Sequence, residues 1–598
     1  MKSIFVRVIR YFFDKFRDEW VLFVFCWLLL TPRTIYSFLR CCIVNNSEFI
    51  VAFTNFFKFV SIAFLLSFLI SVIVGTVKLK VCRLIVYTIL YLFFGISIFL
   101  AVLFGATISP STMILMFETT SQEISAFIHT FLISKQSVII IIPIIVFAIA
   151  NIYMEKYKYE ISKVLPLCIN IRFVKSLVLF FLLSGIMSIR VYGKLFECNT
   201  LTHLESWNHE GISYMDQCTN MVYSIYSIRI MGKSLHHALE NTEKINSKRH
   251  SMKWHEDSCN VVLIIGESFI KKHSSLYGYH LNTSPLLLKE KRQGKLFVFQ
   301  DAISSSCYTS FSLKNTFSCN SLGDGEGWEE RPFFPAIFKA IGYNVYFWDN
   351  QYISTSNAPF DFSLNSYLHN VWFKENLYTK EQGFVSMLDG KLIDNFTHYA
   401  SKYKMGQNNL IIFHLQGQHF KTLDRYPKDS EFKRFTIDSI WSYKKLDNTQ
   451  KTEIADYDNC TLYNDYVINM VISLFRNTNA VVVYFSDHGE NVYDIDSRIG
   501  RKFTTLGPSQ IKQYYDIPFV VWCSEQYRIT HPDIINDLSQ SVDRQLMTDN
   551  ICHLLMHLGG VDSDCYSSSK DVLTPNYKCP PRIIDGGVDY DQMIKRAK

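Results

Sequence analysis

AVVVYFSDHGE, Ala480 to Glu490, is a short β-type run that stops abruptly in a packed set of polar groups. Val481, Val482, Val483, Tyr484 and Phe485 are β-branched or aromatic and too few for a helix of ordinary length. The run therefore reads as a strand buried on both faces. Ser486, Asp487, His488, Gly489 and Glu490 follow its carboxyl end, the edge of an open α/β sheet where ligands bind. A carboxylate and an imidazole side by side in a Gly-containing turn can face one metal ion, because no helix or strand forces them apart. Taken alone, the same residues also read as a polar turn capping a strand.

Working outward, Asn260 to Ser268 (NVVLIIGES) has the same design: a continuous apolar strand, then Gly266 for a sharp exit, then Glu267. Alone, Gly-Glu-Ser reads as a helix start with Ser268 as cap. Two strands that end at one edge in an acid and in an acid-imidazole pair carry more, since a divalent metal needs several converging ligands. Leu296 to Phe299, Tyr343 to Trp348, Leu410 to His414 and Ile517 to Trp522 are further short apolar runs, alternating with amphipathic stretches such as Leu462 to Phe475. From about His255 onward that alternation predicts an α/β domain, a mostly parallel sheet flanked by helices. The Leu410 run leads to Gly417, Gln418 and His419, which brings another imidazole to the same edge.

Cys307 to Cys319 reads CYTSFSLKNTFSC. Its spacing predicts a helix that starts at Thr309 and has Phe311, Leu313 and Phe317 on its apolar side. A hydroxyl at a helix N-terminus feels the positive end of the backbone dipole, and a nearby metal would lower its pKa further, the combination that turns a weak alcohol into a nucleophile. An ordinary N-cap threonine fits the same local pattern, and Ser310 and Ser312 stay open as alternatives. No sulfatase-type Cys-x-Pro-Ser-Arg is present.

The first third is of another character. The chain of 598 residues is 48% hydrophobic and 19% charged, and long apolar runs cluster near Trp20 to Leu39, Ile50 to Gly75, Leu84 to Ala106, Val138 to Tyr153 and Val174 to Ile189. Each approaches the roughly 20 residues that cross a bilayer, so five transmembrane helices are expected. Basic residues gather before the first run, after the second and after the fourth, which places the N-terminus in the cytoplasm and everything after Ile189 outside. The expected organisation is a membrane domain over residues 1–190, a linker with interfacial helices over 191–254 and an exported catalytic domain over 255–598. A modest net charge of +6 with no basic block argues against nucleic acid as a partner. Ten of the 15 cysteines fall in the exported part, where they read as disulfides; Cys307 with Cys319 and Cys565 with Cys579 are the first pairings the spacing suggests.

Seven segments together, VVLIIGES, LYGYHLNTSP, the Thr309 segment, FWDNQ, LQGQH, YDNCTLYNDYV and FSDHGE, resemble the phosphoethanolamine transferases that decorate lipopolysaccharide and lipid A. The resemblance implies a Gram-negative inner-membrane enzyme with five crossings and a periplasmic, alkaline-phosphatase-like domain. It implies zinc held by Glu267, Thr309, Asp487 and His488, one ion or two, with Thr309 carrying the phosphoethanolamine. It also implies that Thr119 and Glu123 in the external loop contact the lipid donor, phosphatidylethanolamine. His419 would face the phosphate, and Asn350 within Asp349 to Gln351 would lie at the pocket rim. The acceptor would be a lipopolysaccharide core sugar or lipid A, and the protein a monomer. Three positions depart from the family pattern. Relatives often carry a second histidine about a dozen residues after the Asp-His pair, where this chain reads DIDSRIGRKF; a lysine soon after Asn350 is missing; and Leu115 replaces an asparagine. Two other functions fit the same architecture: a glycerol-phosphate transferase of the lipoteichoic acid synthase type, and a catalytically inactive membrane-anchored sensor or scaffold.

Overall fold

Val261, Leu263 and Ile265 pack into one apolar core, and Val262 and Ile264 into another. Consecutive residues of a strand point to opposite faces, so an unbroken apolar run means a sheet covered on both sides. Among the described residues the sheet has seven strands: β1 (Asn260–Gly266), β2 (Leu296–Phe299), β3 (Asn344–Asp349), β4 (Lys380–Gly383), β5 (Asn409–His414), β6 (Ala480–Ser486) and β7 (Phe519–Cys523). Their order is β2-β7-β6-β1-β5-β3-β4. β1 runs parallel to β5 and β6, and β3 parallel to β4 and β5; β7 runs antiparallel to both of its neighbours. The first core takes in the helices Thr309–Phe317, Phe334–Ala340 and Ile551–Leu558, and the second takes in Gly390–Lys402 and Asn448–Phe475.

Six of these strands are the apolar runs read from the sequence. The seventh, β4, has the sequence KEQG and was not anticipated. Among the described residues it pairs with β3 alone, and an edge strand with polar side chains carries no apolar signal.

The computed structural model describes the chain apart from its extreme ends and several internal segments. The longest of these are 105–134 (save 108 and 113), 200–213 (save 204), 246–258 (save 253 and 254) and 352–371 (save 368 and 369). Two compact units emerge, Met1–Met231 and Gly232–Lys598. In the first, Phe49–Val77, Lys80–Val102 and Val174–Glu197 are long and apolar enough to cross a membrane. Trp20–Leu30 with Pro32–Leu39, bent by 47°, and Ile140–Lys156 with Lys158–Val164, bent by 76°, bring the spans to five if each pair counts as one. The first bend falls at Pro32, which lacks the N–H that a continuous helix needs. Farther on, Gln217–Glu243 forms one helix of 27 residues.

Candidate active site

The register of the two central strands assembles the site. Gly266 of β1 pairs with Ser486 of β6, so the next residues, Glu267 and Asp487, leave the sheet side by side, and the Asp487 N–H donates to the Gly266 carbonyl at 3.0 Å. Gly266 is required for space rather than for the sharp exit expected of it: its backbone is not in the left-handed region, and a Cβ there would stand 2.9 Å from Cζ of Tyr484. Ser268, one residue on, does adopt left-handed backbone, φ 56°. It is held there by its N–H donating to Asp487 Oδ1 at 3.1 Å and its hydroxyl donating to Glu267 Oε1 at 2.7 Å. Such strain in a non-glycine residue persists where surrounding contacts over-determine it, commonly at functional sites.

Thr309 opens its helix, and its hydroxyl donates to Glu267 Oε2 at 3.0 Å and lies 3.2 Å from His488 Nε2. Of the alternatives, Ser312 is buried and donates to the Asp487 carbonyl at 2.7 Å. That bond ties the helix to the β6 turn, while Thr309 presents its hydroxyl to the acidic cluster. Leu313 and Phe317 are core residues as expected; Phe311 stays half-buried, capped by the Lys314 ammonium 3.8 Å from its ring centre.

His488 Nδ1 lies 3.0 Å from the Gly489 carbonyl. A proton on Nδ1 would serve that contact and leave Nε2 with its lone pair, the form in which an imidazole binds a metal. That lone pair meets Glu267 Oε1 at 3.2 Å and Asp487 Oδ2 at 3.1 Å. Asp487 Oδ2 is buried without a hydrogen bond. Three ligand atoms, all within 4.8 Å of one another on fully buried residues, thus converge, and this donor set fits one divalent cation. The electrostatics agree. Burial disfavours charge on Glu267, but His488, His419 and Arg501 outweigh it and hold this carboxyl well below the usual range. Burial and the adjacent Glu267 charge push Asp487 well above its own, because two carboxylates in one site cannot both ionise unaided. Burial, aided by the Arg501 charge, lowers His488 to about 4 and keeps the imidazole neutral, as a metal ligand must be.

Around this centre, the loop after β5 clamps Glu267. Gln418 N–H donates to the Glu267 carbonyl at 2.9 Å, and the buried Asp389 accepts from the N–H groups of Gln416 and Gly417 at 2.8 and 2.9 Å. Gly417 is left-handed, φ 49°, and a Cβ there would lie 2.7 Å from both the nitrogen and the oxygen of Glu267. His419 follows, half-buried, with Arg425 Nη2 at 3.4 Å from its Nδ1.

Asn350 is brought near, but its side chain is engaged elsewhere: it donates to Ser386 O at 3.1 Å and Asp389 Oδ1 at 2.6 Å and accepts from Ser386 N–H at 2.7 Å. Its neighbour Gln351 is the one that reaches the centre, donating to Glu267 Oε2 at 3.2 Å and to Leu415 O at 2.7 Å. Asp349 lies between two histidines, His369 Nε2 and His414 Nδ1, each at 2.9 Å. Thr119 and Glu123 lie outside the described residues.

The sequence reading missed Arg501. Within DIDSRIGRKF, this side chain lays its Nη1 against both ring nitrogens of His488, with Nε 3.9 Å from Glu490 Oε2. A lone arginine thirteen residues past His488 has no spacing signature of its own, and only its burial among Glu267, Asp487 and Glu490 marks it.

The expected cysteine pairs do not form. Cys307 and Cys319 are unbridged; the nine-residue helix between them spans roughly 14 Å, beyond disulfide reach. Cys319 lies instead against Cys552, and Cys579 against Tyr577.

The sulfatase family model matches residues 259–561. Phosphoethanolamine transferase EptC of Escherichia coli O18:K1:H7 (strain RS218 / NMEC) is 27% identical over 506 residues, covering 82% of this chain and 83% of that protein. The Kdo(2)-lipid A phosphoethanolamine 7''-transferase of Escherichia coli K12 is 27% identical over 279 residues, 45% of each chain. Among solved structures, the integral membrane lipooligosaccharide phosphoethanolamine transferase A of Neisseria meningitidis matches with a TM-score of 0.59 at 18% identity, over 94% of this chain and 97% of that one. That likeness shows a shared fold, helical membrane region included.

Proposed function

The chain belongs to the sulfatase family, and from that premise we propose that it moves phosphoethanolamine from phosphatidylethanolamine to a lipopolysaccharide acceptor, a core sugar or lipid A, through a phosphothreonine at Thr309. The observation that carries this reading is the Thr309 hydroxyl held 3.0 Å from Glu267 Oε2 and 3.2 Å from His488 Nε2 at a helix N-terminus. The named relatives supply the group transferred.

In the first half-reaction the Thr309 oxygen attacks the phosphorus of the donor diester and its proton passes to Glu267 Oε2, the carboxylate already accepting it. The bond from phosphorus to the glycerol oxygen breaks, and Glu267 passes that proton on to the glycerol oxygen as diacylglycerol leaves. In the second, an acceptor hydroxyl or phosphate attacks the phosphothreonine and gives its proton to Glu267, which returns it to the departing Thr309 oxygen. The helix dipole and the Arg501 guanidinium face the charge that builds on the phosphoryl oxygens. Gln351 and Ser268 keep Glu267 oriented through both steps. Zinc, held by Glu267, Asp487 and His488 with the Thr309 oxygen as a fourth ligand, would supply Lewis acidity that lowers the Thr309 pKa and offsets negative charge. His419, Thr119 and Glu123 are assigned to substrate binding, Asn350 to building the rim through Asp389. Residues 1–190 would anchor the enzyme in the inner membrane with the N-terminus cytoplasmic and residues 255–598 periplasmic, so that donor and acceptor lipids share one membrane with it.

Mass spectrometry of lipopolysaccharide from cells with and without the chain tests the activity, and the mass of the group on Thr309 after incubation with donor tests the route. Phosphoethanolamine on both supports the reading. Glycerol phosphate on Thr309 would replace it with the lipoteichoic-acid-type reaction, and unmodified lipopolysaccharide with an unmodified Thr309 would leave the scaffold.

A further inference from the structure

A cleft of about 870 Å³ opens in the first unit between the helices Phe49–Val77, Ile171–Ser188 and Arg190–Glu197. The first two helices touch closely beside it: a Cβ on Gly185 would stand 2.6 Å from the Ser61 carbonyl, and Ser184 Oγ donates to Ser61 Oγ at 3.0 Å. Next to that contact the cleft is walled by Phe57, Phe180 and Leu183, with the Phe57 and Phe180 rings 5.6 Å apart. Its polar lining includes three cations, Lys58, Arg190 and Lys194, and no carboxylate among the described lining residues. Lys58 sits within a membrane-spanning helix, steered by a hydrogen bond from Nζ to Asn55 Oδ1 at 3.1 Å. A charged residue at such a place is costly and marks a ligand position.

We propose that this cleft binds one lipid whose headgroup is a phosphate monoester, its acyl chain against the aromatic wall and its phosphate among Lys58, Arg190 and Lys194. The volume is that of a small-molecule site. Three positive charges with no carboxylate among the described lining residues match a doubly negative phosphate, and an arginine suits it by bidentate bonding. The same three charges repel the ammonium of a zwitterionic headgroup, so phosphatidylethanolamine is disfavoured here. On the orientation proposed above, the start of Phe49–Val77 and the end of Ile171–Ser188 lie toward the outer leaflet, which is the leaflet the bound lipid would occupy. The inference stands on the cleft's chemistry and not on the proposed transfer reaction.

The test uses the full chain in detergent, offered equal amounts of phosphatidic acid, phosphatidylglycerol and phosphatidylethanolamine of identical acyl chains, with retained lipid counted by native mass spectrometry. One phosphatidic acid is expected to be held at least ~10-fold more strongly than phosphatidylethanolamine, and the combined Lys58→Gln, Arg190→Gln, Lys194→Gln variant to lose that preference. Equal retention of the three lipids, or a triple variant that holds phosphatidic acid as the parent does, overturns the proposal. Should the triple variant fail to fold, Arg190→Gln and Lys194→Gln, both exposed, take its place, and unchanged selectivity in both is equally fatal. Thr309→Ala should bind phosphatidic acid like the parent, which separates this site from failure of the catalytic reading.

Discussion

The Thr309 hydroxyl stands 3.0 Å from the Glu267 carboxylate across 42 residues of chain. The contact makes Glu267 both the acceptor of the threonine proton and a member of the donor set with Asp487 and His488, and the behaviour expected of the protein follows from it.

Replacing Thr309 by alanine removes the attacking oxygen and leaves the helix intact, since Ser312 still ties it to the Asp487 carbonyl. Transfer should fall by on the order of 10³-fold or more, with the melting temperature near that of the parent. Turnover at the parental rate in Thr309→Ala would move the nucleophile elsewhere.

A chelator should abolish transfer, and one equivalent of zinc should restore it. Elemental analysis of the purified protein should find metal that Asp487→Asn and His488→Ala lose, because each removes one of three converging ligands. Full activity in demonstrably metal-free protein would refute the metal assignment.

Arg501 is a fixed cation against His488. Arg501→Gln should lower kcat by ~10²-fold, the scale of losing one preorganised charge donor, and Arg501→Lys should recover part of it, limited by the lost fork geometry. Equal kcat for all three proteins would reduce Arg501 to a packing residue.

Gly417→Ala should injure the site through backbone alone. The substitution strains a left-handed residue, about 1–2 kcal/mol, and drives a methyl toward the Glu267 backbone. Gly278→Ala is the control: it shares the positive φ, 93°, but has open space around it. Both should lose stability in urea unfolding, and only Gly417→Ala should also lose transfer.

His273 links the segment after β1 to Asp458 and Asp494, at 2.6 and 3.4 Å. Burial opposes its charge, but the two carboxylates prevail and raise it to about 10, from 6.5. A raised pKa means that the native state binds the proton more tightly than the unfolded chain. The stabilisation is therefore complete below about pH 6.5 and drains away as pH climbs toward 10. Urea midpoints should decline across that window, and His273→Phe should remove the decline while costing roughly 3–5 kcal/mol at neutral pH. A variant with the parent's pH slope would show that another group titrates there.

Sequence alone determined the strand-forming runs, the polar groups at their ends and the apolar first third, because a strand buried on both faces and a membrane helix are written in contiguous residues. Glu267, Asp487 and His488 were legible for that reason: each immediately follows such a run. Tertiary structure decided whatever depends on which ends meet. It turned the Thr309 hydroxyl to Glu267 and the Ser312 hydroxyl to the Asp487 carbonyl, and it turned Gln351 rather than Asn350 toward Glu267. It also set Arg501 beside His488, and placed Cys319 against Cys552 instead of Cys307. None of these is a close neighbour in the chain. Glu267 and Asp487, around which the site gathers, leave the sheet together because β1 and β6 lie side by side in register, and register is a property of the packed sheet.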